Sequence, residues 1–224
     1  MTDYHNPVLL TESIEALNIA EAGIFVDATY GGGGHSRLIL QKFDAIGQLY
    51  SFDQDEDVLP NLITDEERFT FIHHNFRFFK RFLRLHGVRQ IDGVLGDLGV
   101  SSHQLDDATR GFSFRFDTDL DMRMNQEGEM TAADVLRTYS AAALQQLFSR
   151  IGEVRNSKSL AQAIVAERHQ KPIKTTSDFL MMLHPLIRGN RNRYLAQVFQ
   201  ALRIEVNDEM GALQTFLSEA RELL

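Results

Sequence analysis

Four consecutive glycines follow a short apolar run near the start of the chain, and this feature constrains the fold most. Residues 24–27 read Ile-Phe-Val-Asp, and glycines occupy positions 31–34 before a helix-like segment. Glycine adopts positive φ angles without steric cost and leaves main-chain N–H groups open to a ligand. The pattern predicts a strand, a nucleotide-binding loop and a helix that together hold a nucleotide-like cofactor.

Residues around the glycines distinguish between classes of nucleotide-binding loop. No Gly-Lys-Ser/Thr sequence follows, so a P-loop fits poorly. A dinucleotide fingerprint beginning at Gly31 needs glycine or alanine at position 36, where the chain has Ser36, and a pyrophosphate ligand is therefore disfavoured. Asp27, at the end of the strand, would repel a pyrophosphate. It could instead hold a positively charged amino group, such as that of the methionine part of S-adenosylmethionine.

Two further acids end apolar runs later in the chain. Asp53 follows the first acid at a spacing typical of a residue that accepts hydrogen bonds from ribose hydroxyls, although a lone Asp there is as often a strand-end or capping residue. Asp97 ends a third such run, with a loop cap involving Ser101 and Ser102 as the alternative. Because ligands bind beyond the carboxyl ends of parallel strands, we expect all three acids to surround the glycine loop.

Strand and helix patterns alternate in the first half of the chain. They predict an α/β fold with a doubly wound, mainly parallel, Rossmann-like sheet. The predicted strands are 24–30, 48–53, 69–73 and 91–97, and the predicted helices are 11–18, 35–43, 56–63 and 76–86.

Only helical patterns follow residue 125. A Thr131-Ala-Ala-Asp134 capping box begins the first of five predicted helices. These cover 131–138, 140–151, 157–170, 175–187 and 193–206. We therefore predict a core at 1–124 that binds the cofactor, a helical insertion that recognises substrate at 125–206, and a helix at 207–224 that returns to the core.

Composition excludes several classes of function. The chain has 224 residues, a formal charge of −8 and no cysteine, so disulfides, thiolate metal sites and cysteine nucleophiles are ruled out. Its eight histidines show no His-Glu-x-x-His spacing, and no metal is expected. No apolar run is long enough to cross a bilayer, and the start lacks the pattern of a signal peptide. We expect a cytoplasmic protein without a membrane partner.

The acidic balance argues against nonspecific attachment to nucleic acid, but cations cluster locally. One cluster either lies on an amphipathic helix with its cations in solvent or forms a local basic site for nucleic acid. It comprises Arg77, Lys80, Arg81, Arg84 and Arg89. The other, Arg188, Arg191 and Arg193, lies in a Gly-Asn-Arg-Asn-Arg segment that predicts a loop contacting phosphate. Between 110 and 124, aromatic residues, acids and arginines alternate without a regular period, which predicts a loop that closes over a ligand.

Several blocks together resemble the MraW-type methyltransferases, a bacterial family that methylates N4 of a cytidine in small-subunit ribosomal RNA. The blocks are His5-Asn-Pro-Val-Leu-Leu, Val26 through Ser36, Asp97-Leu-Gly-Val-Ser-Ser-His-Gln-Leu-Asp106, Arg110-Gly-Phe-Ser-Phe through Leu120-Asp-Met-Arg-Met124, and Phe199-Gln-Ala-Leu-Arg-Ile-Glu-Val-Asn207. They span essentially the whole chain, and the third and fourth are far more specific than a glycine loop.

The resemblance implies S-adenosylmethionine as cofactor and 16S ribosomal RNA or the small ribosomal subunit as partner, with a cytidine of the decoding region as target. The positions that match the family's cofactor contacts are Gly33, Gly34, His35, Asp53, Phe76, Asp97 and Gln104. The strand-end position of Asp27 and the place of Gly31 in the glycine loop add these two residues to the predicted cofactor contacts. Asp97 is our candidate for the catalytic acceptor, since the Asn/Asp-Pro-Pro-Tyr motif of many amino-methyltransferases is absent. Candidates for RNA contact are Arg110, Phe112, Phe114 or Phe116, and the three arginines 188, 191 and 193.

One departure from the family concerns the end of the chain. Members continue into a Pro-Gly-Gly-Arg strand, whereas this chain ends at Leu224, and we expect a shortened protein whose fourth strand is an exposed edge open to pairing. Two other functions stay open. A noncatalytic RNA-binding or ribosome-assembly protein fits a shortened chain, and an NAD-dependent oxidoreductase is disfavoured by Ser36.

Overall fold

A computed structural model describes residues 7–19, 22–43 and 46–224. The first family block begins at His5 and Asn6, which lie outside these residues. The prediction that the start of the chain lacks a signal peptide also concerns residues outside the described ranges. The chain divides into two compact units, one formed by Met1–Ser101 with Gly211–Leu224 and the other by Ser102–Met210.

The first unit contains a parallel four-stranded sheet. Its strand order is β3-β2-β1-β4, as a doubly wound Rossmann-like fold requires, and the predicted α/β class is confirmed. The strands are β1 (Ile24–Asp27), β2 (Gln48–Asp53), β3 (Phe69–His73) and β4 (Gly93–Leu95). The helices are α1 (Leu10–Ala16), α2 (Gly34–Leu40) and α3 (Phe79–Leu85), with 3₁₀ turns at Glu56–Asn61 and Phe76–Phe78.

Strand side chains alternate between two apolar layers, which explains the wholly apolar runs in the sequence. Phe25 and Leu49 point to a layer that includes α1 and α2. Val26 and Phe52 point to the other layer, where α3 and the final helix α10 (Glu209–Leu223) pack. Both faces are therefore covered, and the carboxyl ends of the strands are left as the place where polar residues collect.

β4 lies at one edge of the sheet, beside β1. In the described ranges no strand pairs with its outer side, in agreement with the predicted edge position. The strand is less exposed than expected. Gly93 and Leu95 are buried, and the Val94 side chain packs against the core.

The second unit is helical. Its helices are α4 (Ser102–Asp106), α5 (Ala132–Thr138), α6 (Ala141–Arg150), α7 (Ser157–Gln170), α8 (Thr176–Leu183) and α9 (Arg191–Val206). The Thr131–Asp134 capping box is present, as the sequence predicts. A second box, formed by Thr175 and Asp178, begins α8.

The division between the units differs from the predicted boundaries at 124/125 and 206/207. The irregular segment 102–124 belongs to the helical unit because its backbone is bonded there. Leu120 N donates to Lys174 O at 2.8 Å, and Met124 N donates to the Asn207 side chain at 2.7 Å. Such long-range bonds are not visible in local sequence patterns.

Two local expectations are also corrected. The predicted helix at 56–63 is a 3₁₀ turn, which contains Pro60. Arg191 and Arg193 are not in a loop: the Asn190 side chain accepts from Arg193 N at 3.0 Å and begins α9 there, so only Arg188 remains in the connection. Asparagine at this position caps a helix as well as it serves in a turn.

No helix within the described part of the chain combines the length and apolar character needed to span a bilayer.

Asn207 fixes the irregular segment to the end of α9, and its removal should destabilise the protein. Its side chain accepts from Met124 N and donates to Met122 O and Arg203 O, while Met122 is fully buried with φ +65°. Asn207→Ala should lower the free energy of unfolding by about 2–3 kcal/mol. Urea unfolding would measure this.

The matched control is Asn125→Ala, since the side chain of the exposed Asn125 accepts from Glu127 N in a local turn. We expect a loss below about 1 kcal/mol there. Equal losses in the two variants would contradict the anchoring role of Asn207.

Candidate active site at the carboxyl edge of the sheet

The glycine loop joins β1 to α2, and its conformation explains the glycines. Gly31 and Gly33 have φ angles of +52° and +74°, a region that most residues avoid. A Cβ at Gly33 would lie 2.6 Å from both the Arg37 guanidinium and the Tyr30 hydroxyl. A Cβ at Gly31 would meet nothing within 4 Å. Gly33 is therefore required by the fold, whereas the space at Gly31 is open to a ligand.

Asp53, the last residue of β2, holds one side of this loop. Its Oδ2 accepts from Gly31 N at 2.8 Å, and its Oδ1 accepts from Asp55 N at 3.0 Å. The Gln54 backbone also contributes a hydrogen bond. A carboxylate has about four acceptor positions and the Asp53 side chain is only partly buried, so acceptor capacity remains for a ligand. Desolvation by burial raises the pKa of Asp53 above its usual value.

Thr29 holds the other side of the loop to the segment after β4. Its hydroxyl accepts from Asp97 N at 2.7 Å, and the neighbouring Ala28 N donates to Leu95 O at 2.8 Å. The Asp97 side chain is exposed. Asp53 and Asp97 thus lie on opposite sides of the loop, and neither side chain is fully buried; their contact with a ligand stays a prediction. Thr29 is not among the residues predicted from the sequence, and only its place beside the glycines could have indicated it.

Asp27 has a different place from the one predicted. It is completely buried, and its two oxygens accept from Thr29 N at 3.1 Å and from the Ser36 hydroxyl at 2.6 Å. The Ser36 hydroxyl lies 2.8 Å from that of Ser51. Because Asp27 is sealed beneath the loop and both of its oxygens are already bonded there, the structure supports a role in holding the loop rather than the predicted contact with an amino group.

The network around Asp27 perturbs its acidity. Desolvation raises the pKa of Asp27 to about 7, against the opposing hydrogen bonds from Ser36 and Thr29, and the nearby charges of Asp53 and Asp97 raise it further. Ser36, which argued in the sequence against a dinucleotide, therefore acts as the partner of a buried carboxyl group.

His35, in the first turn of α2, is also buried. Its Nε2 has no hydrogen-bond partner within the described ranges. Burial lowers the pKa of His35, against the charge of Asp97 and a hydrogen bond with the Val8 backbone, which both raise it. A neutral imidazole with an unsatisfied ring nitrogen beside the loop is suited to a polar ligand, since buried polar atoms without partners are rare.

The other predicted cofactor contacts lie in both units. Gly34 begins α2, and a Cβ there would lie 2.5 Å from Pro7. Phe76 is partly buried and packs against Phe216, with ring centroids 5.3 Å apart. Gln104 is a buried residue of α4 in the second unit.

Three of the predicted RNA contacts serve packing in this structure. Arg110 is buried and donates to the carbonyl oxygens of Arg123 and Met124 at 3.0 and 3.1 Å. Its guanidinium lies 5.7 Å from the ring of the buried Phe112. Phe114 contacts Phe199 edge-on at 5.6 Å. Alternating aromatic and charged residues here reflect a loop anchored to helices. In contrast, Arg188, Arg191 and Arg193 are all exposed.

Two surface cavities lie away from these residues. One of about 500 Å³ is formed by α7, α8 and the segment between them, and one of about 470 Å³ lies beside α2 and residues 62–68. Neither is lined by a predicted cofactor contact. The glycine loop is therefore a candidate site because of its hydrogen-bonding geometry and not because of cavity size.

Comparison with known proteins agrees with this geometry, since residues 2–224 match the family described as MraW methylase. This chain belongs to the MraW methylase family. Similar proteins are each named ribosomal RNA small subunit methyltransferase H. That of Phocaeicola vulgatus is 54% identical over 99% of this chain and 73% of its own length. Those of Christiangramia forsetii and Flavobacterium johnsoniae are 50% identical over 100% and 99% of this chain, and 74% of their own lengths.

Proteins of the MraW methylase family use S-adenosylmethionine as methyl donor, and the residues at the loop fit this cofactor. The space at Gly31, the remaining acceptor capacity of Asp53 and the unsatisfied His35 Nε2 all belong to the glycine loop, to its hydrogen-bond partner or to the helix that directly follows it. They suit the hydroxyls and polar edge of a nucleoside better than they suit a pyrophosphate, because two carboxylates border the loop.

Asp27 should make stability depend on pH. An unfolded Asp releases its proton near pH 3.8, whereas folded Asp27 keeps it until about pH 7. The unfolded state thus binds fewer protons between these values, and the free energy of unfolding falls as pH rises from about 4 to about 7. Each unit of pKa difference corresponds to about 1.4 kcal/mol.

Asp27→Asn should remove this dependence, since an amide can accept from Thr29 N and donate to Ser36 without ionising. Urea unfolding between pH 4 and about 8 would measure it. Ser51→Ala keeps the carboxyl group and serves as control. Equal slopes for the wild type and Asp27→Asn would show that Asp27 is not the titrating group.

Proposed function

We propose that this chain transfers a methyl group from S-adenosylmethionine to N4 of a cytidine in 16S ribosomal RNA, in the decoding region. Membership of the MraW methylase family supports methyl transfer, and the names of its relatives support small-subunit ribosomal RNA as the substrate. The observation that carries the proposal is that Asp53 and Asp97 flank one glycine loop, each joined to it by a hydrogen bond.

In this proposal the glycine loop and Asp53 hold the nucleoside part of the cofactor. When bound, S-adenosylmethionine would supply a methyl group on a sulfonium, and transfer to the amine would leave a neutral thioether and release one N–H proton. Asp53 accepts from ribose hydroxyls through its remaining acceptor capacity. His35 and Phe76 complete the cofactor contacts that this unit supplies. The protein contributes mainly by positioning the reactants.

Asp97 is the proposed acceptor for the attacking amine. The lone pair of the cytosine N4 amine is conjugated with the ring, so N4 is a poor nucleophile. An acceptor that holds one N–H group of the amine in a hydrogen bond would favour a pyramidal, more nucleophilic nitrogen. Asp97 has an exposed carboxylate on a backbone that Thr29 fixes. It is therefore positioned by the same loop that holds the cofactor.

The helical region at 125–206 is proposed to recognise the RNA. Its exposed Arg188, Arg191 and Arg193 lie before and within the first turn of α9, where they can contact phosphates. The target base must leave its stack to be methylated. The partner is 16S ribosomal RNA or the small subunit, which places the protein in the cytoplasm.

Asp53→Ala should abolish tight cofactor binding. The variant loses the charge-assisted hydrogen bonding to the ribose hydroxyls and also the contact with Gly31 N. The affinity for S-adenosylmethionine should therefore fall by about a hundredfold. Isothermal titration calorimetry would measure the affinity, with NADH as a second ligand. Binding of NADH in preference to S-adenosylmethionine would instead favour the oxidoreductase alternative.

Asp92→Ala is the matched control for Asp53→Ala. The Asp92 carboxylate also accepts one backbone N–H, from Ile24 at 2.8 Å, but before β4, at the opposite edge of the sheet. We expect cofactor affinity within about twofold of the wild type. Equal weakening in both variants would indicate a loss of folding rather than of a ligand contact.

Asp97→Asn should lower kcat by about a hundredfold, since proton acceptors typically contribute 10²–10⁴. Isotope-labelled methyl transfer to 16S RNA or small-subunit particles, followed by nucleoside mass spectrometry, would measure both rate and product. N4-methylcytidine is the expected product. RNA binding indifferent to S-adenosylmethionine, without any methylated nucleoside, would favour the noncatalytic alternative.

A further inference from the structure

An aromatic and cationic surface lies next to the cofactor site but forms no part of it. It consists of His73, His74, Arg77, Phe78 and Arg81, and we call it the β3–α3 surface. His73 ends β3 and is the register partner of Asp53 on β2. Asn75 Nδ2 also donates to Gln54 Oε1 at 2.8 Å. The surface therefore begins at the carboxyl edge of the sheet, beside the residue proposed to hold the ribose.

The aromatic part of this surface is built around His74 and Phe78, with the neighbouring ring of Phe82 beside them. The His74 ring lies 5.2 Å from that of Phe78 and 4.8 Å from that of Phe82. Phe78 is nevertheless 39% exposed, so part of a large apolar ring is accessible to solvent at the start of α3. Burial lowers the pKa of His74, and the charges of His73 and Arg81 lower it further. His74 is thus an uncharged ring near neutral pH, which suits stacking against a base.

Cations border these rings. Arg77 and Arg81 lie one turn apart, and Arg81 is exposed without an ion pair in the part of the chain that the structure describes. Lys80, on the same helix, differs because it pairs with Glu222. In a chain with a charge of −8, an exposed arginine beside an exposed phenylalanine is not explained by packing or by charge balance. The combination is typical of surfaces that bind single-stranded nucleic acid, where cations follow phosphates and rings stack on bases.

We propose that the β3–α3 surface binds the single-stranded RNA that flanks the methylated cytidine, with Arg81 contacting a phosphate and Phe78 stacking on a base. The proposal rests on the proposed ribosomal RNA substrate. It assigns a second RNA contact to the unit that carries the cofactor site, separate from the arginines of α9. RNA would then be held within the same unit that holds the methyl donor.

Fluorescence anisotropy with a labelled single-stranded RNA of about twelve nucleotides tests the proposal. Arg81→Glu should weaken binding about tenfold at low salt and lower the slope of log affinity against log salt by about one. Phe78→Ala should weaken binding about tenfold without changing that slope. Both residues are exposed enough for the fold to tolerate the changes, and S-adenosylmethionine affinity should stay as in the wild type.

Lys42→Glu is the matched control, because it makes the same charge change in the same unit. Lys42 is exposed and follows α2, on the side of the sheet where β2 begins. Binding should change less than about twofold. Losses as large as those of Arg81→Glu would mean that only total charge matters and would overturn the proposal. Wild-type affinity in both Arg81→Glu and Phe78→Ala would overturn it as well.

Failure of the proposed function has a different signature. If the wild-type chain binds S-adenosylmethionine and methylates ribosomal RNA while Arg81→Glu and Phe78→Ala bind RNA normally, only the β3–α3 surface is contradicted. If the wild type binds this RNA and loses affinity in both variants but forms no methylated nucleoside, the surface is supported and catalysis is contradicted.

Discussion

The hydrogen bond from Gly31 N to Asp53 Oδ2 is the contact on which the site depends. It joins the glycine loop to β2 at 2.8 Å, while Thr29 joins the same loop to the segment after β4 at 2.7 Å. A loop with two residues at positive φ has little intrinsic preference for one conformation. Because the loop is bonded on both sides, its backbone is held open at Gly31, and the two acids are held on either side of that opening.

The buried Asp27 network beneath the glycine loop lowers the stability of the protein as pH rises. Asp27 is buried with two serines, and its pKa is raised to about 7. A buried carboxylate is unfavourable unless its hydrogen bonds compensate for the loss of water. The network therefore trades stability at higher pH for a fixed connection between β1, β2 and the first turn of α2. Functional sites often contain such perturbed groups.

Much of the fold could be predicted from sequence, because its signals are local. Apolar runs gave the four strands, and Thr131 with Asp134 identified the first turn of α5. What could not be predicted depends on distant partners. The segment before α5 joins the helical unit through Lys174 and Asn207, and Arg110 is used by carbonyl groups of its own loop. Asp27 ends a strand like Asp53, yet only packing decides which of them is sealed.

Solution NMR of the amide groups, with S-adenosylmethionine added to saturation, tests the central claim most directly. We propose that the opening at Gly31, bordered by Asp53 and His35, is the cofactor site. The largest shifts should then occur at the amides of Gly31, His35 and Asp53, with little change in α7 and α8. Shifts confined to the cavity between α7 and α8, with the glycine loop unchanged, would contradict it.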